Sequence, residues 1–197
     1  MARETPHIQQ WLALTHTVGV YTRALNAFAA QFARRLPNIS ALDIHDDENS
    51  NDHTNIHPST FAVLSSFHSV TTLSLLDCKF KTFSDFQILI RAFPKLSALI
   101  WGDCSCVRTP RLGPLINTHP TRPRLISLLI PHGDTYRLER SKLYLWLSRS
   151  LSTTNTIRSM YLSFPIIDED DRSVDSLVEA IGPSLTELRF AVYSMSF

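Results

Sequence analysis

Apolar residues recur along this chain in a five-position pattern that two neighbouring segments show in full. In FHSVTTLSLLDCKF, Val70, Leu73, Leu75, Cys78 and Phe80 fall at relative positions 1, 4, 6, 9 and 11. In FPKLSALIWGDCSC, Leu96, Leu99, Trp101, Cys104 and Cys106 fall at the same five. The 1-4-6 triplet alone recurs as Ile39/Leu42/Ile44, Leu125/Leu128/Ile130, Ile157/Met160/Leu162 and Leu185/Leu188/Phe190. First positions 39, 70, 96, 125, 157 and 185 lie 31, 26, 29, 32 and 28 residues apart. Positions 4 and 6 lie two residues apart, the period that puts both on one face of a strand. A near-constant period of about 29 residues marks a repeat architecture in which each unit buries its apolar side against the next.

Between the triplets the period changes to that of helices. Tyr21, Leu25, Phe28, Ala29, Phe32 and Leu36 define one helical face, with Trp11, Leu12 and Leu14 expected as a cap over it. Ser59 is placed to cap a helix bearing Phe61, Leu64 and Phe67. Ser84 with Gln87 predicts a capping box and Phe83 with Ile88 a hydrophobic staple, over a helix burying Phe86, Leu89, Ile90 and Phe93. Ser141 heads Leu143, Trp146, Leu147 and Leu151; Val174, Leu177, Val178 and Ile181 repeat the spacing before Gly182-Pro183 stops it. Two stretches break the rule. Arg108 to Pro123 carries Pro110, Pro114, Pro120 and Pro123, and reads as an irregular loop around Leu115 and Ile116. Asp46 to His57 is polar and aperiodic, a solvated loop. The last residues, AVYSMSF, follow the sixth triplet with no helix, an end expected to be cut, unpaired or covered.

Composition narrows the class. Of 197 residues 44% are hydrophobic and 19% charged, the balance of a folded domain rather than a disordered chain. A net charge of +1 gives no general pull toward nucleic acid or membrane. No apolar run is long enough for a membrane span, and MARETPHIQQ lacks the order of a signal peptide. Three cysteines argue against a disulfide framework. An intracellular protein, cytoplasmic or nuclear, is expected.

The segments LPNISALDI, FHSVTTLSLLDC and FPKLSALIWGDC resemble leucine-rich-repeat proteins of the cysteine-containing class, and more narrowly the repeat regions of fungal F-box-type proteins. The resemblance implies an α/β solenoid of about six repeats, with a parallel sheet on the concave face and helices on the convex face. Residues 1–36 are then N-terminal capping helices and 37–197 the repeats. It also implies a non-catalytic role, holding a substrate protein for a cullin-based ubiquitin ligase. The first 35 residues show no F-box-like leucine-proline opening, so only the binding half of that role carries over.

In a repeat strand the residues between core positions face the concave side. The middle column there reads Asp43, Ser74, Ile100, Leu129, Tyr161 and Arg189, with Leu76 beside it. An apolar centre with a charge at each end is the composition of a protein-binding face, and these seven residues are the expected contacts. The alternative is that another segment of a longer chain covers this face.

Reactive chemistry has less support. Cys78 and Cys104 share repeat position 9 and Cys106 position 11, so all three are expected to be structural, although that register leaves a Cys78–Cys104 disulfide open. The cysteines lack the fourth soft ligand of a zinc site, and His45, His53 and His57 with Asp46 and Asp47 form the other cluster suggesting a metal or hydrolytic site. There is no Gly-x-Ser-x-Gly elbow and no glycine-rich phosphate loop, and no cofactor is expected. The basic interval Arg108 to Lys142 has Tyr136 as its one aromatic, poor material for nucleic-acid stacking. The acidic run Asp168 to Asp171 balances it or leads into the next helix.

Overall fold

A computed structural model describes residues 6–46, 56–108, 124–131, 143–148, 156–165 and 172–193. In chain order the elements are α1 (Pro6–Leu14), β1 (Thr17–Tyr21), α2 (Leu25–Phe32), β2 (Ala41–His45), α3 (Pro58–Leu64), β3 (Thr72–Leu76), β4 (Lys79–Thr82), α4 (Phe83–Arg91), β5 (Ala98–Gly102), β6 (Ser105–Arg108) and β7 (Ser127–Ile130). They continue with α5 (143–148), β8 (Ser159–Pro165), α6 (Arg172–Ile181) and β9 (Glu187–Tyr193). The fold is α/β. Seven strands form one sheet in the order β1-β2-β3-β5-β7-β8-β9, every neighbouring pair parallel, and β4 pairs with β6 in a small second sheet.

Register follows the triplets. Leu42 lies opposite Leu73, Leu73 opposite Leu99, Leu99 opposite Leu128, Leu128 opposite Met160 and Met160 opposite Leu188. Every residue of the first five triplets is buried, at 1% exposure or less. The sixth is not: Leu188 is 37% and Phe190 53% exposed, on the last strand of the sheet.

The strands are joined by a second periodic device, at position 2, which the leucine pattern does not reveal. The carbonyl of Ser40 accepts the N–H groups of Thr71 and Thr72, that of Thr71 those of Ser97 and Ala98, and that of Ser97 those of Ile126 and Ser127. The carbonyls of Ile126 and Arg158 continue the ladder to the next strands. Hydroxyls reinforce it: Ser40, Thr71, Ser97 and Thr186 each donate to the carbonyl at position 2 of the preceding unit, at 3.2, 3.3, 3.2 and 2.9 Å. A short β-hydroxy side chain can reach that acceptor while its backbone joins the strand, so Ser and Thr recur there.

The N-terminal third differs from expectation. A strand, β1, lies between the two helices, with Val18 opposite Leu42 and Val20 opposite Ile44. Thr15, Val18 and Val20 are thus a seventh triplet, hidden by a polar first position. The long predicted helix from Tyr21 shrinks to a 3₁₀ turn, Thr22–Ala24, and α2, because Tyr21 is committed to the strand. α1 buries no residue: Trp11 is 75% and Leu14 65% exposed, and Leu12 alone of the expected cap packs on the core.

Two helix starts also move. The capping box of α4 is Thr82 with Asp85, not Ser84 with Gln87. This places Phe83 at the first helical position, buried, and leaves Ile88 exposed rather than stapled to it. The helix still buries Phe86, Leu89, Ile90 and Phe93. In α3 the cap is His57, whose Nδ1 accepts from the Ser59 N–H at 3.3 Å, with Pro58 in the first turn. Pro58 needs no N–H there and its φ suits the turn. Phe86 then meets Trp101 of β5 edge-to-face, with ring centres 4.3 Å apart, and Trp146 of α5 at 5.7 Å. These contacts tie two helices and a strand into one core.

Arg108, expected to open an irregular loop, is instead the last residue of β6. The rest of that loop to Pro123, the Ser141 cap, Leu151, the run Asp168 to Asp171 and most of the basic interval lie outside the described residues. Among the described residues no helix is long and apolar enough to cross a membrane.

Candidate functional site: the sheet face opposite the core

Alternation along each strand sends one set of residues into the core and the other to the opposite face. On that face the predicted middle column is in register across the sheet. Gly19 is opposite Asp43, then Ser74, Ile100, Leu129, Tyr161 and Arg189 follow strand by strand. Asp43, Ile100, Leu129 and Tyr161 are half-buried. Arg189 is exposed, as is Leu76 at 37%. Ser74 departs from the expected contact set: it is 5% exposed and offers a partner little surface. Strand alternation assigns a side chain to a face but not its depth among flanking residues.

Glycine shapes the adjoining row, where His45, Leu76 and Gly102 are neighbours. A Cβ on Gly102 would lie 2.7 Å from Leu76 Cδ2 and 3.2 Å from Pro131 Cγ. The bare backbone therefore lets Leu76 lean across β5. At the other end Tyr21 packs edge-on against His45, ring centres 4.7 Å apart, and the Arg23 guanidinium lies 5.5 Å above the Tyr21 ring. At the last strand Ser159 donates to Glu187 Oε2 at 2.9 Å, and Arg189 Nε donates to Oε1 at 2.7 Å. The hydroxyl donor first, then the guanidinium, hold the Glu187 carboxyl below its usual range.

The reactive candidates are placed in structural roles. His57 caps α3, and its own backbone N–H donates to Asn26 Oδ1 at 3.3 Å. His45 sits on the sheet face against Tyr21, and His53 lies outside the described residues. Asp46, expected in a solvated loop, is 8% exposed and accepts from Thr22 Oγ1 at 2.6 Å, while Ile56 at the far end of that run joins the core. Among the described residues no three His, Cys, Asp or Glu groups are arranged to hold a metal ion.

Cys78, Cys104 and Cys106 are buried and in no disulfide, so the Cys78–Cys104 bridge is not formed. Cys78 Sγ donates to the Ile44 carbonyl at 3.3 Å and Cys104 Sγ to the Leu75 carbonyl at 3.4 Å, the same position-6 acceptor one unit back. Burial and the neighbouring Cys78 push the Cys104 thiol well above its ordinary pKa, which leaves it unreactive. Asp77 and Asp103, just before the two cysteines, adopt left-handed backbone with φ of 56° and 46°. Aspartate tolerates that region better than most residues. The motif Asp-Cys is thus a turn that redirects the chain from β3 to β4 and from β5 to β6.

No protein-family model and no curated protein matches this chain.

Proposed function

We propose that the chain is a leucine-rich-repeat solenoid, and that its concave face binds a protein without catalysing a reaction. The single observation that carries this reading is the column Ile100, Leu129 and Tyr161, side by side on three adjacent strands, with Arg189 on the next strand at one end and Asp43 beyond Ser74 at the other. Half-buried apolar residues on a rigid sheet lose little conformational entropy when a partner covers them. Terminal charges of opposite sign would fix the direction in which an extended segment lies across the strands. The resemblance to fungal F-box-type repeat regions makes substrate holding within a ubiquitin-ligase assembly the first role to test.

The test is affinity capture with mass spectrometry, comparing the parent chain with Ile100→Ser, Leu129→Ser and Tyr161→Ser combined. A partner bound here is lost from the variant while the far-ultraviolet circular dichroism spectrum is unchanged. Equal capture by a folded triple variant sinks the reading.

A further inference from the structure

The two edges of the seven-stranded sheet are protected unequally. At the β1 edge the core-side residues are Val18, half-buried, and Val20, 6% exposed. At the β9 edge the matching residues are Leu188, 37% exposed, and Phe190, 53% exposed. Among the described residues β9 has a strand neighbour on one side only. It is also long, Glu187–Tyr193, with no proline, glycine or lysine to blunt it. Exposed edges of this kind are templates for pairing with another strand.

The sequence of β9 is complementary to itself. On the face opposite the core it presents Glu187 and Arg189, two residues apart, with side chains 44% and 71% exposed. On the core side Leu188 lies between them. We propose that two copies of this chain join by antiparallel pairing of β9 with β9, in the register that sets Leu188 opposite Leu188. That register places Glu187 of each copy directly opposite Arg189 of the other, twice, by the symmetry of a two-fold pairing.

Each Glu187 then lies between its own Arg189 and that of the second copy, a ring of four alternating charges. On the core side Leu188 meets Leu188, and Phe190 reaches the second Leu188 diagonally. Sliding the register by one pleat either way sets Arg189 against Arg189, or Glu187 against Glu187, and like charges directly opposite are destabilising. Charge thus favours this register over its two neighbours. The result is one continuous sheet closed by a two-fold axis, which stops at two copies.

Light scattering on the purified full chain over a concentration series tests this directly. The expected particle is twice 22.4 kDa. Glu187→Arg and Arg189→Glu, each alone, weaken association by about tenfold or more. An equimolar mixture of those two variants restores it, because the two basic side chains on one copy then face the two acidic side chains on the other. Both positions are exposed, and circular dichroism confirms that the variants fold; Leu188→Lys serves as a second interface variant. A single-copy chain throughout the series overturns the proposal. So does a pair that ignores both charge reversals, or a particle that grows beyond two copies, as head-to-tail joining of β9 to β1 would produce.

Discussion

The thiol of Cys78 donates to the carbonyl of Ile44 across the junction between two successive strand units, and Cys104 does the same to Leu75. Each thiol also donates to a carbonyl two residues back, that of Leu76 or Gly102, at 3.4 and 3.3 Å. A buried side chain of modest polarity thus clamps the end of one strand to its predecessor. Replacing either cysteine with alanine removes a hydrogen bond and leaves a small void. Each change is expected to cost about 1–2 kcal/mol in chemical denaturation. A full-strength fold in the double variant would show that the thiols merely fill space.

The same burial dictates how the thiols react. With Cys78 and Cys104 at 0% and 1% exposure, an aromatic disulfide reagent should label them only as fast as the chain opens. The raised pKa of Cys104 has a definite sign. The fold favours the neutral thiol, so this contribution is whole below the ordinary thiol value of about 8.5 and is lost as pH rises toward the folded value. Denaturation midpoints of the parent chain should therefore converge on those of Cys104→Ala under alkaline conditions. A constant gap between them would refute the linkage.

Gly102 and Leu76 form a coupled pair on the sheet face. A methyl at Gly102 collides with Leu76 Cδ2, the mobile end of a side chain, so Leu76 must swing aside and lose its seat over β5. Gly102→Ala should destabilise by about 1–2 kcal/mol, and Leu76→Ala should recover most of that loss in the double variant. Additive effects would mean that the strain comes from Pro131 instead.

What the sequence makes legible is what repeats. Leu42, Leu73, Leu99, Leu128 and Met160 can be placed because an apolar residue three before and another two after each recur at nearly constant spacing. Position-9 cysteines are legible for the same reason. β1 is not, since Thr15 conceals the start of its triplet and Gly19 divides its valines. β4 and β6 are not, because Phe80 and Cys106 read as isolated core residues; their pairing depends on two turns lying side by side. Alternation assigns Ser74 to the right face, but its burial depends on three-dimensional neighbours. The ladder of Ser40, Thr71, Ser97 and Thr186 is visible in principle as β-hydroxy residues immediately after four of the six first positions, Ile126 and Arg158 standing at the other two.

The start of α4 shows how two valid local signals compete. Thr82-Phe83-Ser84-Asp85 and Ser84-Asp85-Phe86-Gln87 both fit a capping pattern. The first wins because it turns Phe83 into the core beside Phe86, ring centres 5.3 Å apart. Thr82 Oγ1 accepts from the Asp85 N–H at 3.2 Å, and the Thr82 N–H donates to Asp85 Oδ2 at 2.9 Å. Thr82→Ala should cost about 1 kcal/mol and Ser84→Ala a few tenths at most. The reverse order would restore the later start.

Glu187 offers a titration that reads its surroundings atom by atom. Its carboxylate accepts from Ser159 and Arg189, and both favour the charged form. The fold thus gains from these contacts above the ordinary glutamate value of about 4.3, and the gain disappears as pH falls through the depressed value. Carboxyl carbon resonances should show Glu187 titrating below the ordinary glutamate value. Ser159→Ala and Arg189→Gln should each move it back toward the ordinary value, because the hydroxyl donor and the guanidinium both favour the charged form. Raising the salt concentration should shrink the arginine effect and spare the serine one, since screening acts on the exposed ion pair and not on a short hydrogen bond. A midpoint unmoved by either substitution would mean that neither contact persists in solution.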